Sequence, residues 1–243
     1  MRKYYFTITS ILVLAILITS CSNEDTKTQN NTASRPTVPI LDRTVTDIDG
    51  NMYKIVTIGN QKWTKTNLNV SHYRNGDPIP HVTDREQWAN LTTGAWCYYN
   101  NDPVNEAKYG KLYNWYAVND PRGLAPAGWH VPSDAEWTIL TTFLGGESVA
   151  GGKMKEMGIA FNYFNWISPN TSATNSSGFT ALPGGTRSFI GLFSNVGFNG
   201  YWWSSLEYNT TNVWYRYLFY TNGSAYRNYA QKVNGFSVRC IKN

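Results

Sequence analysis

The sequence predicts an α+β fold in which antiparallel sheets carry two short helices and long irregular loops. Three stretches make the case. Residues 128–137 turn from strand to helix behind explicit signals. Residues 201–241 alternate side-chain character between tight turns. Residues 165–177 are dominated by Asn, Ser and Thr, the composition of a loop.

The chain opens on an export signal. Arg2 and Lys3 precede an apolar run at 8–18 that is too short to span a bilayer comfortably. Ile18-Thr19-Ser20-Cys21 resembles a bacterial lipobox, which makes residues 1–20 a lipoprotein signal peptide and Cys21 the lipid attachment site. An uncleaved anchor helix is the alternative. A lipid on Cys21 ties the chain to a membrane without a spanning helix. Glu24 and Asp25 resemble the acidic tag of surface-exposed bacterial lipoproteins, so the expected location is the outer membrane, facing outward. Residues 21–43 are Thr, Asn, Gln and Pro with few apolar side chains, a flexible tether. Residues 44–243 are one domain of ordinary size.

In that domain, Asp49-Gly50 and Gly59-Asn60 separate extended runs at 44–48, 52–58 and 61–63, which reads as two hairpins. A short helix is expected from Thr83-Asp84-Arg85-Glu86, a capping pattern. Residues 109–118 are aromatic on both faces and fit either helix or strand. Pro132 ends the next strand, Ser133 and Glu136 form a capping box, and Trp137, Leu140 and Leu144 make one apolar stripe that stops at Gly145-Gly146. A second helix over 149–158 is weakened by Gly151-Gly152. Strands are expected at 179–182, closed by Pro183-Gly184-Gly185, and at 201–205. In the strand after them, Val213, Tyr215, Tyr217 and Phe219 share one face while Trp214, Arg216, Leu218 and Tyr220 share the other. Asn222-Gly223 turns into a strand at 225–229, and 235–241 closes the domain with Phe236, Val238 and Cys240 pointing together.

Composition narrows the function classes. The chain holds 10 Trp and 17 Tyr with only 15% charged residues, so large amphipathic rings build the core and some remain on the surface. Of 21 Lys and Arg, Arg2 and Lys3 lie in the leader, leaving 19 against 16 acids, a net charge of +3. Without a basic cluster, that argues against a nucleic-acid partner.

Four segments together resemble one family: Gly128-Trp129-His130-Val131-Pro132-Ser133-Asp134-Ala135-Glu136-Trp137, Leu182-Pro183-Gly184-Gly185-Thr186-Arg187, Tyr201-Trp202-Trp203-Ser204-Ser205 and Gly235-Phe236-Ser237-Val238-Arg239-Cys240. With Asp47-Ile48-Asp49-Gly50-Asn51 and Leu112-Tyr113-Asn114-Trp115, they resemble the Fibrobacter succinogenes major paralogous domain, whose members look like secreted or lipid-anchored bacterial proteins. More remotely, the strand-Pro-acid-helix unit and the closing strand are similar to the formylglycine-generating, sulfatase-modifying enzymes. That resemblance implies a C-type-lectin-like fold. The oxidase chemistry of those enzymes needs a reactive cysteine pair that binds copper. Here Cys240 matches the end of the closing strand instead. Some members of the family it resembles carry a cysteine where this chain has Ala125. For an exported chain the resemblance leaves Cys97 and Cys240 as the expected disulfide, with two buried free thiols as the alternative.

The remaining residues offer no catalytic constellation. His72, His81 and His130 stand alone, the acids do not pair, and no phosphate-loop, calcium-loop or nucleophile-elbow pattern occurs. No cofactor and no metal ligand set is expected. The positive signal is aromatic: Tyr201, Trp203, Trp214 and Arg216 are the candidate ligand-binding residues, suited to stacking on sugars or packing on protein. The expected function is a non-catalytic lectin-like binding or adhesion domain on a cell-surface lipoprotein, its ligand a glycan or a protein. A structural subunit of a fimbria-like assembly and a modifying enzyme are the alternatives.

Overall fold

A computed structural model describes residues 43–158 and 165–243. The leader, Cys21 and the tether up to residue 42 lie outside them.

The turn pairs place the entry strands. β1 (Thr44–Thr46), β2 (Met52–Ile58) and β3 (Gln61–Thr64) form a meander with Val45 opposite Tyr53 and Val56 opposite Trp63. Asp47 shapes the first turn by accepting from the N–H groups of Asp49 and Asn51 and from the Tyr53 hydroxyl. α1 (Arg85–Ala89) is capped by Asp84, whose side chain accepts from the Gln87 N–H. Residues 109–118 use both conformations that their pattern allows. After β4 (Trp96–Cys97) and α2 (Glu106–Tyr109), the strand β5 (Leu112–Tyr113) pairs with β4 and gives way to α3 (Trp115–Val118), capped by Asn114.

β6 (Trp129–His130) leads into α4 (Asp134–Phe143), and α5 (Glu147–Met154) follows at once. The capping box at Ser133 and Glu136 is complete, and Trp137, Leu140 and Leu144 are buried as their spacing requires. Gly151 and Gly152 are needed inside α5. A Cβ on Gly151 would stand 2.2 Å from the Ser224 carbonyl oxygen, and one on Gly152 would stand 2.4 Å from that of Ser172. The glycines let a turn and a loop lie directly on the helix.

The C-terminal half forms β7 (Gly184–Arg187), β8 (Phe193–Val196), β9 (Asn199–Glu207), β10 (Asn212–Phe219), β11 (Ala225–Gln231) and β12 (Ile241–Lys242). Among the described residues there are two five-stranded sheets, β1-β2-β3-β12-β6 and β11-β10-β9-β7-β8, and the ribbon β4-β5. Pairing is antiparallel apart from β7 with β9. The last strand lies between β3 and β6, so both ends of the domain share one sheet. Among the described residues strands dominate, and only the helices α4 and α5 exceed five residues, which is an α+β fold.

β9 separates two cores. Trp203 on one face joins Tyr113, Trp129, Phe236, Val238 and Cys240. Trp202 on the other joins Trp63, Trp137, Leu140, Trp166 and Phe179. Both tryptophans are 0% exposed.

Four expectations fail. Gly184 and Gly185, expected in a closing turn, instead begin β7, which pairs with β8 and β9. Residues 179–182 make only one bridge, Ala181 with Lys155, because side chains occupy their carbonyls: Arg239 donates to Phe179 and Thr180, and Trp166 to Ala181. The closing segment is a strand only at 241–242. Before that it threads between single bridges to Arg187, Tyr113 and Trp202, although Phe236, Val238 and Cys240 do face one core. The Cys97–Cys240 disulfide is absent. Cys97 lies with Val82, Trp88, Ala95 and Leu112 in a third cluster, whereas Cys240 shares the first core with Ala125, so the two buried thiols are separate and free. Burial pushes the Cys97 thiol up to about 12 and raises that of Cys240 as well.

In the Cys21→Ser chain, a thiol reagent at neutral pH should therefore find no reactive cysteine in the native protein and two after denaturation without reductant. Absence of titratable thiol in the denatured chain would contradict the two-thiol core.

Candidate functional site

The strand-to-helix motif at 128–137 is occupied by structural bonds. The Glu136 carboxylate accepts from the Ser133 N–H at 2.7 Å and hydroxyl at 2.8 Å, and it meets His130 Nε2 at 2.9 Å. The other ring nitrogen of His130 meets Asn243 Oδ1 at 2.7 Å, tying the C-terminus to the motif. The Trp137 indole donates to the Trp203 carbonyl. Asp134, at the first position of α4, accepts from Arg216 Nη1 and from Arg227 Nε and Nη2. The hollow beside the motif, about 510 Å3, is lined by Gln61, Lys62, Glu136, Ile139 and Ile241, and its acid is already engaged in three bonds, two with Ser133 and one with His130.

The sheet register sorts the candidate binding residues. Tyr215 lies opposite Trp203 and Tyr217 opposite Tyr201, on one face; Arg216 lies opposite Trp202 and Arg227, on the other. The predicted alternation along β10 therefore holds, with an irregularity between Val213 and Tyr215. Trp203 is not a surface ring, because its face is filled by Phe236 at 4.3 Å and its indole donates to the Tyr113 carbonyl. Arg216 is not available either. Its side chain is 2% exposed and bound to Asp134 and Thr138. Burial, only partly countered by Asp134, lowers its basicity.

Tyr201 and Trp214 remain half-buried, and they lie on opposite faces. Tyr201 belongs to a row of near-parallel rings, Phe236, Tyr201, Tyr217 and Tyr226, and its hydroxyl accepts from Asn195. Trp214 belongs to a cluster at the other end of the opposite face. Tyr208 and Tyr229, each 47% exposed, stack at 4.3 Å, and Tyr208 meets the Trp214 ring edge-on at 4.7 Å. The Arg227 guanidinium lies 3.3 Å from the Trp214 ring centroid.

Tyr208, Arg227 and Tyr229 were not singled out from the sequence. A hairpin register through Asn222-Gly223 would have found two of them, since it sets Tyr229 opposite Trp214 and Arg227 opposite Arg216. Tyr208 had no such signal; it is placed by a turn in which Asn209 Oδ1 accepts from Thr211 and Asn212.

Among the described residues, no three His, Cys, Asp or Glu side chains lie close enough to hold a metal, and no helix is long and apolar enough to cross a membrane. The fold and these surfaces define a ring-rich α+β domain whose motif residues act as internal ties. The model of the Fibrobacter succinogenes major domain matches residues 56–242, and the chain belongs to that family. No curated protein matches it.

Burial pushes the Glu136 carboxyl up, but the bonds from Ser133 and His130 outweigh burial and hold it below the usual range. Its folded pKa is thus depressed, so its contribution is present above the unfolded value of 4.5 and is lost as pH falls through the folded value. The stability gap between wild type and Glu136→Gln, measured by urea unfolding, should be present at neutral pH and shrink below about pH 4.5. A gap that is constant with pH would contradict this role.

Proposed function

We propose that this chain is a lipid-anchored outer-membrane protein, displayed outward on a tether, whose C-type-lectin-like domain binds an extracellular ligand without transforming it. The observation that carries the reading is the surface cluster Tyr208, Trp214 and Tyr229 beside Arg227: two tyrosine rings left open to solvent against a half-buried tryptophan, in a domain that buries its other nine tryptophans. Such rings suit a sugar face, so a glycan is the favoured ligand. Support for a non-catalytic role comes from the motif acids and His130, which hold backbone and neighbouring side chains together. Support for the lectin-like fold comes from the shared sheet of the first and last strands and from the long irregular segments around α4 and α5. Support for the anchor is the lipobox-like sequence ending at Cys21.

A second reading, a subunit of a surface assembly, is favoured by the β7–β8 turn, where Phe189, Ile190 and Leu192 are 46%, 43% and 46% exposed.

A glycan array probed with the Cys21→Ser chain tests the first reading. The expected result is a group of chemically related glycans bound above background, with signal lowered in Tyr229→Ala. An array without binders, together with self-assembly in size exclusion, would replace the first reading with the second.

A further inference from the structure

The ring cluster carries a charge that its own contacts leave unbalanced. Arg216 and Arg227 both bond to the Asp134 carboxylate, so two guanidinium groups share one negative charge. Of the other charges nearby, Lys232 and Glu207 pair with each other at 2.6 Å, and Glu147 acts on Arg216 only through space. The surplus sits on the more exposed cation: the Arg227 side chain is 37% exposed against 2% for Arg216. The bonds from Arg227 to Asp134 use Nε and Nη2, and Nη1 takes no part in them.

This cation is also held still. Asp134 fixes two of its nitrogens and the Trp214 ring lies under its plane, so little side-chain freedom remains for a ligand to remove. Tyr208 is fixed by the Asn209 turn and by its stack on Tyr229. A prepositioned guanidinium beside exposed rings recognises a group that combines an anion with a flat apolar face. A sugar that bears a carboxylate or sulfate has both. Its anion would also relieve the repulsion between Arg216 and Arg227.

We propose that Tyr208, Trp214, Arg227 and Tyr229 form a binding site for acidic polysaccharide, with Arg227 receiving the carboxylate or sulfate and the tyrosines receiving the ring face. This rests on the glycan-binding reading and names its site and ligand class.

The test uses the Cys21→Ser chain in affinity electrophoresis and calorimetry with polygalacturonate, alginate, hyaluronan and chondroitin sulfate, and with fully methyl-esterified polygalacturonate as the uncharged match. At least one acidic polymer should bind, more weakly as ionic strength rises from about 0.05 M to about 0.5 M. Arg227→Gln should weaken it about tenfold, and Arg227→Lys should weaken it less. Tyr229→Ala should weaken it while Tyr229→Phe should not. Arg216 still neutralises Asp134 in the Arg227 variants, so their circular-dichroism melts should stay cooperative.

If the methyl ester binds as well as the acid, the anionic class is wrong while glycan binding stands. Acidic binding that is indifferent to Arg227→Gln and Tyr229→Ala overturns the site. Failure of all four acidic polymers overturns the proposal, and the array then decides separately whether a neutral glycan is the ligand.

Discussion

The domain depends on one buried cation. Arg239 is 0% exposed, and among the described residues its hydrogen bonds go to carbonyl and amide oxygens rather than to a carboxylate. Its guanidinium donates to Asn67 Oδ1 at 2.7 Å, to the carbonyls of Thr64 at 2.9 Å and Phe179 at 2.8 Å, and to that of Thr180 at 3.0 Å. Asn67 in turn accepts from the Trp202 indole and donates to the Tyr109 carbonyl and the Ser237 hydroxyl. Through these two side chains, the end of β3, the segment after the long loop, the closing segment and the second sheet meet at one point. Burial lowers the basicity of the guanidinium, but removing it would leave backbone carbonyls without donors in the core, which costs more than the bonds themselves contribute.

The same device recurs. Arg187 donates to the carbonyls of Val82, Thr83, Asp84 and Gly191 and packs over Trp88. Lys155, pushed down to about 8 by burial, donates to the carbonyls of Thr171, Phe219 and Asn222. A loop-rich fold leaves many carbonyl oxygens outside any ladder, and each must find a donor if buried. Long cationic side chains with several N–H groups meet that need at a few points. The bonded set of Asp134 with Arg216 and Arg227 joins α4 to the second sheet and leaves Arg227 at the surface.

What could be read from the sequence follows from this division. The entry hairpins, α4 with its capping box and the alternation along β10 are set by neighbours within a few residues, and periodicity and turn chemistry reveal them. Residues 179–182 read as a strand because Phe179, Ala181 and Leu182 are apolar, yet the carbonyls of Phe179 and Thr180 answer to Arg239, some sixty positions away, and that of Ala181 to the Trp166 indole. The strand at Gly184–Arg187 reads as a turn because glycine is a turn residue, whereas Gly185 serves close packing: a Cβ there would stand 2.6 Å from the Ser194 carbonyl oxygen of β8. Trp203 and Arg216 are candidate binding residues from the sequence because alternation shows only that two faces exist, not which of them is covered. That both faces of β9 and β10 are covered over most of their length is a tertiary fact.

The ring cluster can be rigid only if the sheet beneath it is fixed, and the Arg239 node couples that sheet to the rest of the domain. The most direct test of this account is urea unfolding of Arg239→Met, which keeps the apolar stem and deletes the donors. The account predicts a loss of about 3 kcal/mol or more in a single cooperative transition, from several orphaned acceptors at once. An unchanged or raised midpoint would show that the carbonyls find other donors and that the fold does not hang on the cation.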